Sequence, residues 1–231
     1  MPVTWASSYG AASRSRRYCT SCSSCWPCAA TSAGDVMSKP ERTPSTRTQR
    51  DAHRPLRVVL TGSESVGKTT LAAELGAHYH APVVPEFVRG YAQRIARPIT
   101  YNDLLIIATE QAALEDQHLA AARATGSALV VHDTDPLSTL AYAQHYFGGA
   151  PDAVEHLVRA RRPDHYLLLD IDVPWVPDGV RDRGDRRAEM QQLFVDTLTR
   201  VDATFTRIHG TWSERHALAI QTIDHLLSLN T

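Results

Sequence analysis

Eight residues carry the clearest chemistry in this chain. Gly62-Ser63-Glu64-Ser65-Val66-Gly67-Lys68-Thr69 satisfies G-x-x-x-x-G-K-[ST] at every position. In that motif the two glycines let successive backbone N–H groups turn inward and form an anion nest at a helix N-terminus. The Lys68 ammonium is a compact charge suited to β- and γ-phosphates. The Thr69 hydroxyl is a hard oxygen donor suited to magnesium. Lys68 is also the only lysine in residues 56–231, a region that otherwise uses arginine. ATP or GTP binding with Mg2+ is the expectation.

A loop of this kind works only between a buried strand and a helix. Arg57–Thr61 is a short β-branched apolar run, and Leu71, Ala72, Leu75 and Ala77 punctuate the stretch that follows the loop. Further strands are predicted at Pro82–Pro85, Ala128–Val131, His165–Leu169 and Phe205–His209. Helices are predicted at Phe87–Ile95, Asn102–Arg123, Leu137–Tyr146, Ala153–Arg161, Arg187–Val201 and Trp212–Leu227. Leu104, Leu105, Ile107, Ala108 and Leu114 form the expected buried stripe of the long second helix of this series. Alternation of strands and helices implies an α/β three-layer sandwich of the P-loop NTPase kind, with a five-stranded parallel sheet.

Ligands of such sheets bind beyond the carboxyl ends of the strands. Polar residues cluster at those positions here. Glu86 and Arg89 follow the second strand, Asp133 and Asp135 the third, Asp170, Asp172 and Trp175 the fourth, and Gly210-Thr-Trp212 the fifth. Asp133 follows an apolar strand as a metal-holding aspartate does. No glutamate follows it to polarise a water, which favours a kinase over a motor-type ATPase. Glu86 is the candidate general base or ribose-hydroxyl anchor; a surface ion pair with Arg89 is the competing reading. Asp133, Asp135 and Asp170 also suit helix N-caps. Residues 178–187 hold four arginines, among them Arg181 and Arg186, and read as a lid that stabilises a transferring phosphoryl group. Trp175, between Pro174 and Pro177, suits a stacking platform for a cationic ring, or simple packing. Lone strand histidines such as His132 and His209 are more often structural than metal ligands.

Composition bounds the rest. Of 231 residues, 43% are hydrophobic and the formal net charge is -1, which disfavours a dedicated nucleic-acid binder. No apolar run nears the ~18 residues of a membrane span, and Arg14, Arg16 and Arg17 precede no secretory apolar segment. A cytoplasmic protein acting on a small molecule is the expectation. The charge is divided. Residues 1–55 hold 8 Lys/Arg against 3 Asp/Glu (net +5), and residues 56–231 hold 16 against 22 (net -6). The first stretch lacks periodicity and reads as a disordered tail, with Met37 an alternative start; residues 56–231 read as one domain. Cys19, Cys22, Cys25 and Cys28 have C-x2-C spacings, but structural zinc sites usually split such pairs between two knuckles.

Four blocks together resemble a known family: Gly62–Ala72, Val84-Pro-Glu-Phe-Val-Arg-Gly-Tyr91, Asp133-Thr-Asp-Pro-Leu137, and Tyr166–Asp182 with its Val-Pro-Trp-Val-Pro-Asp-Gly-Val-Arg-Asp ending. They are similar to the nicotinamide riboside kinase domain of NadR-like P-loop proteins, an AAA-type ATP-binding domain. The likeness runs in order from about Arg57 to Leu227. Val66 departs from the family, which usually has threonine there. The resemblance implies ATP–Mg2+ as donor, the ribose 5′-hydroxyl of nicotinamide riboside as acceptor, and nicotinamide mononucleotide as product. It implies that Gly62–Thr70 hold phosphates and metal and that Glu86, Arg89, Asp133 and Asp135 form the acceptor and metal end. Trp175 would belong to the nicotinamide pocket, and Arg181 and Arg186 to the lid. No H-x-G-H-like nucleotidyltransferase signature occurs, so formation of the dinucleotide is not expected.

Overall fold

A computed structural model describes residues 54–173 and 187–230 of the chain. Five parallel strands form one sheet in the order β2-β3-β1-β4-β5. They are β1 (Leu56–Thr61), β2 (Val83–Val84), β3 (Leu129–Asp133), β4 (His165–Leu169) and β5 (Phe205–Ile208). The helices are α1 (Lys68–Tyr79), α2 (Phe87–Ile95), α3 (Leu104–Thr125), α4 (Pro136–Phe147), α5 (Asp152–Ala160), α6 (Arg187–Arg200) and α7 (Trp212–Ser228).

The central strands β1, β3 and β4 are buried on both faces, as parallel strands inside a sheet are. Side chains alternate between two layers. Val58, Leu60, Val131, Leu167 and Leu169 pack with Leu71 and Leu75 of α1 and with Ala219 and Ile223 of α7. Val59, Tyr166 and Leu168 pack on the other side with Leu137 and Leu140 of α4 and with Phe194 and Leu198 of α6. Truncating a fully buried leucine of either layer to alanine costs about 2–5 kcal/mol. Gly76 lets α1 approach β2, because a Cβ there would stand 2.3 Å from Val83 Cγ2.

The sequence-predicted elements recur with shifted ends. β3 runs two residues beyond Val131, because its register against β1 continues until Leu60 faces Asp133. The long helix starts at Leu104, after a 3-10 turn at Tyr101–Asp103 closed by reciprocal Thr100–Asp103 hydrogen bonds. Leu105, expected in its buried stripe, is exposed on the outer face.

β1 lies between β3 and β4: the chain fills one side of it with β2 and β3 and then crosses to the other side for β4 and β5. A crevice opens at that divergence, beyond the strands' carboxyl ends. The β1–α1, β2–α2, β3–α4 and β5–α7 connections converge there.

Candidate active site

The glycine motif forms the β1–α1 loop. Gly62, Ser65 and Gly67 have φ of 129°, 57° and 90°. A Cβ at Gly62 would meet the Leu169 carbonyl oxygen at 2.7 Å, and one at Gly67 would meet Trp212 Cζ3 at 2.7 Å. Both glycines are therefore required by angle and by space. α1 begins at Lys68 with no side chain capping it, so its first amides remain suited to an anion. Lys68 Nζ donates to the Gly62 and Ser63 carbonyls at 2.9 and 2.7 Å. Val66 buries its side chain in the core beside α1.

Two distant side chains grip this loop. Gln191 of α6 accepts from Ser63 N at 3.2 Å and donates to Leu169 O and Asp170 Oδ1, both at 3.0 Å. Arg215 of α7 is wholly buried. Its guanidinium donates to Val66 O at 3.1 Å, Asp170 O at 2.8 Å and Gly210 O at 3.0 Å, and it pairs with the Asp172 carboxylate. Desolvation pushes the Arg215 pKa down.

The carboxyl ends of β2 and β3 frame a cleft. Glu86, Gln111, Thr134, Asp135, Ser138 and Tyr142 supply its polar and aromatic wall. Gln111 holds the β2–α2 turn in place, accepting from Phe87 N at 2.8 Å and donating to Pro85 O at 3.4 Å. Arg89 donates to one Glu86 oxygen through Nε at 3.2 Å and Nη2 at 3.0 Å. Glu86 thus faces the cleft and pairs with Arg89 at once, and Arg89 stays on the exposed side.

Asp135 caps α4, accepting from Leu137 N at 3.1 Å, and it accepts a 2.6 Å bond from the Tyr166 hydroxyl. Burial, reinforced by the nearby Glu115 charge, pushes its pKa up to about 7. Glu115 itself lies buried between His132, at 3.9 Å, and Arg161, at 3.5 Å. Asp133 is buried at the tip of β3, level with Leu60, two residues before the glycine loop. Thr134 carries a strained φ of 82°, which turns the chain from Asp133 into the cleft wall.

The structure therefore gathers Glu86 and Asp135 at one cleft, with Asp133 between that cleft and the loop. Thr69, on the first turn of α1, and Asp133 present a hydroxyl and a carboxylate, the hard oxygen donors that Mg2+ takes. Trp175, Arg181 and Arg186 lie outside the described residues, as do the four cysteines. Arg187 opens α6 and donates to Val173 O at 3.3 Å. The sequence reading missed Gln191 and Arg215. A signal was present for the arginine: it stands at i, i+4, i+8 with Ala219 and Ile223, in the buried stripe of α7. Among the described residues no helix is long and apolar enough to cross a membrane.

Loop, strand order and flanking clefts define a P-loop nucleotide-binding protein with a kinase-like fold. Residues 57–215 match the family model of an AAA domain, and the chain belongs to that family. It is 31% identical over 159 residues to the trifunctional NAD biosynthesis/regulator protein NadR of Escherichia coli, covering 65% of this chain and 37% of that protein. Identity to the Salmonella typhimurium protein of the same name is 30% over 160 residues. The chain thus spans 37% of the length of these curated relatives. A crystal structure of NadR protein in complex with NR superposes with a TM-score of 0.62 at 22% identity, over 76% of this chain and 52% of that one. Thymidylate kinase from Candida albicans superposes with a TM-score of 0.57 at 15% identity, over 77% of this chain and 93% of that one. The resemblance to NadR-like proteins thus holds across the P-loop region, and the five-stranded α/β fold is theirs.

Proposed function

We propose that this protein transfers the γ-phosphoryl group of ATP to the 5′-hydroxyl of nicotinamide riboside, giving nicotinamide mononucleotide. One observation carries the reading. The phosphate loop and a cleft walled by two carboxylates and an aromatic ring open at adjacent strand ends of the same sheet. Donor and acceptor can therefore meet without a large rearrangement. The cleft suits a cationic nucleoside: Glu86 offers negative charge, Asp135, Thr134 and Ser138 offer hydrogen-bonding oxygens, and Tyr142 offers a ring face.

In this reading the loop amides and Lys68 hold the β- and γ-phosphates. Glu86, oriented by Arg89, accepts the hydrogen bond of the attacking hydroxyl and takes its proton. Thr69 and Asp133 would hold the magnesium ion. Such an ion would offset the charge that develops on the phosphate oxygens. Trp175, Arg181 and Arg186 complete the proposal, the tryptophan at the nicotinamide ring and the arginines over the moving phosphoryl group. The NadR likeness supports this reading in both sequence and fold.

The test is ATP consumption against a panel of nucleosides. Turnover with nicotinamide riboside, lost in Lys68→Ala, is the expected result. Turnover with thymidine or another neutral nucleoside alone would reassign the acceptor. Slow hydrolysis indifferent to every nucleoside would reject a kinase.

A further inference from the structure

A phosphate nest depends on where its N–H groups point. A peptide unit is planar and trans, so its carbonyl and its N–H point in opposite directions. Holding the carbonyl of one residue therefore aims the N–H of the next. The Val66 carbonyl and the Gly67 N–H belong to one such unit, and the Gly62 carbonyl and the Ser63 N–H to another.

Both units are held by side chains. Arg215 Nη1 binds Val66 O at 3.1 Å, while the Val66 side chain is locked in the core. The Gly62–Ser63 unit is gripped from its two ends: Lys68 Nζ binds the Gly62 carbonyl at 2.9 Å, and Gln191 Oε1 binds the Ser63 N–H at 3.2 Å. Arg215 and Gln191 meet again on Asp170, one at its backbone carbonyl and the other at its carboxylate. Gly210 is tied to the same brace, with its carbonyl on Arg215 and its N–H on Asp172 Oδ2 at 2.6 Å.

We propose that Arg215 and Gln191 are positioning residues for donor binding. Arg215 aims the Gly67 amide at the nucleotide's phosphates. Gln191 fixes the peptide unit on which the Lys68 ammonium rests. Neither side chain touches the nucleotide. Burial of the guanidinium supports this role over simple stabilisation. A buried guanidinium recovers little net stability from pairing with the part-exposed Asp172 carboxylate, whereas three carbonyl acceptors and one carboxylate give it one allowed orientation. Lysine, with one nitrogen, cannot hold Val66, Gly210 and Asp170 together.

The inference rests on the loop's binding a nucleoside triphosphate and needs no acceptor, so it stands or falls apart from the identity of the nucleoside. The experiment is calorimetric titration of the full chain with a non-hydrolysable ATP analogue and, separately, with inorganic triphosphate. In Arg215→Lys and Gln191→Met, affinity for both ligands is expected to fall by the same factor, about tenfold for the arginine, as befits loss of hydrogen bonds from a charged donor. Binding of both ligands within twofold of wild type in the folded variants would overturn the proposal. So would loss confined to the analogue, because the defect would then lie at the base or ribose. Should Arg215→Lys fail to fold, Asp172→Ala decides, since it removes only the guanidinium's carboxylate and the Gly210 N–H acceptor. Parallel weakening of both ligands supports the brace, and unchanged affinity rejects it.

Discussion

The phosphate loop and the acceptor cleft sit at neighbouring strand ends, yet they are built in opposite ways. The loop presents backbone groups, and remote side chains from α6 and α7 only hold it in shape. The cleft presents side chains that also have structural duties: Glu86 holds Arg89, Gln111 pins the β2–α2 turn, and Asp135 caps α4. The residues of a backbone nest are therefore spelled out by short-range spacing, while its shape is held from outside by Gln191 and Arg215. A side-chain cleft shares its groups with folding, so changing its chemistry disturbs stability and titration together.

The sharpest contrast is expected from Lys68→Ala. It should lower kcat/KM by about 10²–10³-fold or more, the scale for losing a charge-stabilising donor, while the thermal midpoint moves little. Comparable loss of stability and activity would show that the loop too carries structural load. At the cleft, Glu86→Gln should lower kcat by about 10²-fold or more, the range for losing a general base. Its stability cost should be only a few tenths of a kcal/mol, as for an exposed i,i+3 pair. Unchanged kcat would reduce Glu86 to a partner of Arg89.

Gly67→Ala tests the loop's dependence on its setting. A non-glycine residue at that φ costs about 1–3 kcal/mol, and the new methyl would press on the Trp212 ring. Denaturant unfolding should show the combined cost in Gly67→Ala and a smaller one once Trp212→Ala is added. Equal costs would mean that the angle alone matters.

A different readout, pH, separates two carboxylates. Asp135 is pushed up to about 7, so the folded state keeps a proton that the unfolded chain has released. Stability should therefore decline as pH rises from about 4 to about 7 and level off above. Asp103 behaves oppositely. Arg97, Tyr91 and Thr100 hold its carboxyl well below the usual range. Its contribution is present at neutral pH and fades as pH falls below about 4. Asp135→Asn should remove the decline between 4 and 7, and Asp103→Asn should flatten the acid side. An unaltered pH–stability curve in Asp135→Asn would mean that Asp135 is ionised throughout.

Much of the fold was legible because its signals are local. The apolar runs at Arg57–Thr61 and His165–Leu169 became central strands, and Asp133 stands at a strand tip as the pattern required. Helix bounds shifted by a residue or two, as at Asn102, where Thr100 and Asp103 close a 3-10 turn first. Of the pocket residues, Glu86 and Asp135 came from their places after strands. The Arg89 partner of Glu86, three residues away, was legible too, whereas Tyr166, 31 residues from Asp135, was not. Arg215 lies 149 residues from Val66, and no short-range pattern joins them. Only its odd place in an apolar stripe pointed inward. Glu115, buried behind Asp135, gave no such warning.

One contact has a practical value. The six-membered ring of Trp212 lies against the backbone of Gly67, and its indole Nε1 is tethered to Glu74 at 3.1 Å. The chain thus carries its own optical gauge beside the phosphate nest. Indole emission responds to changes in polarity and nearby charge, so filling the loop should shift the Trp212 spectrum without any attached dye.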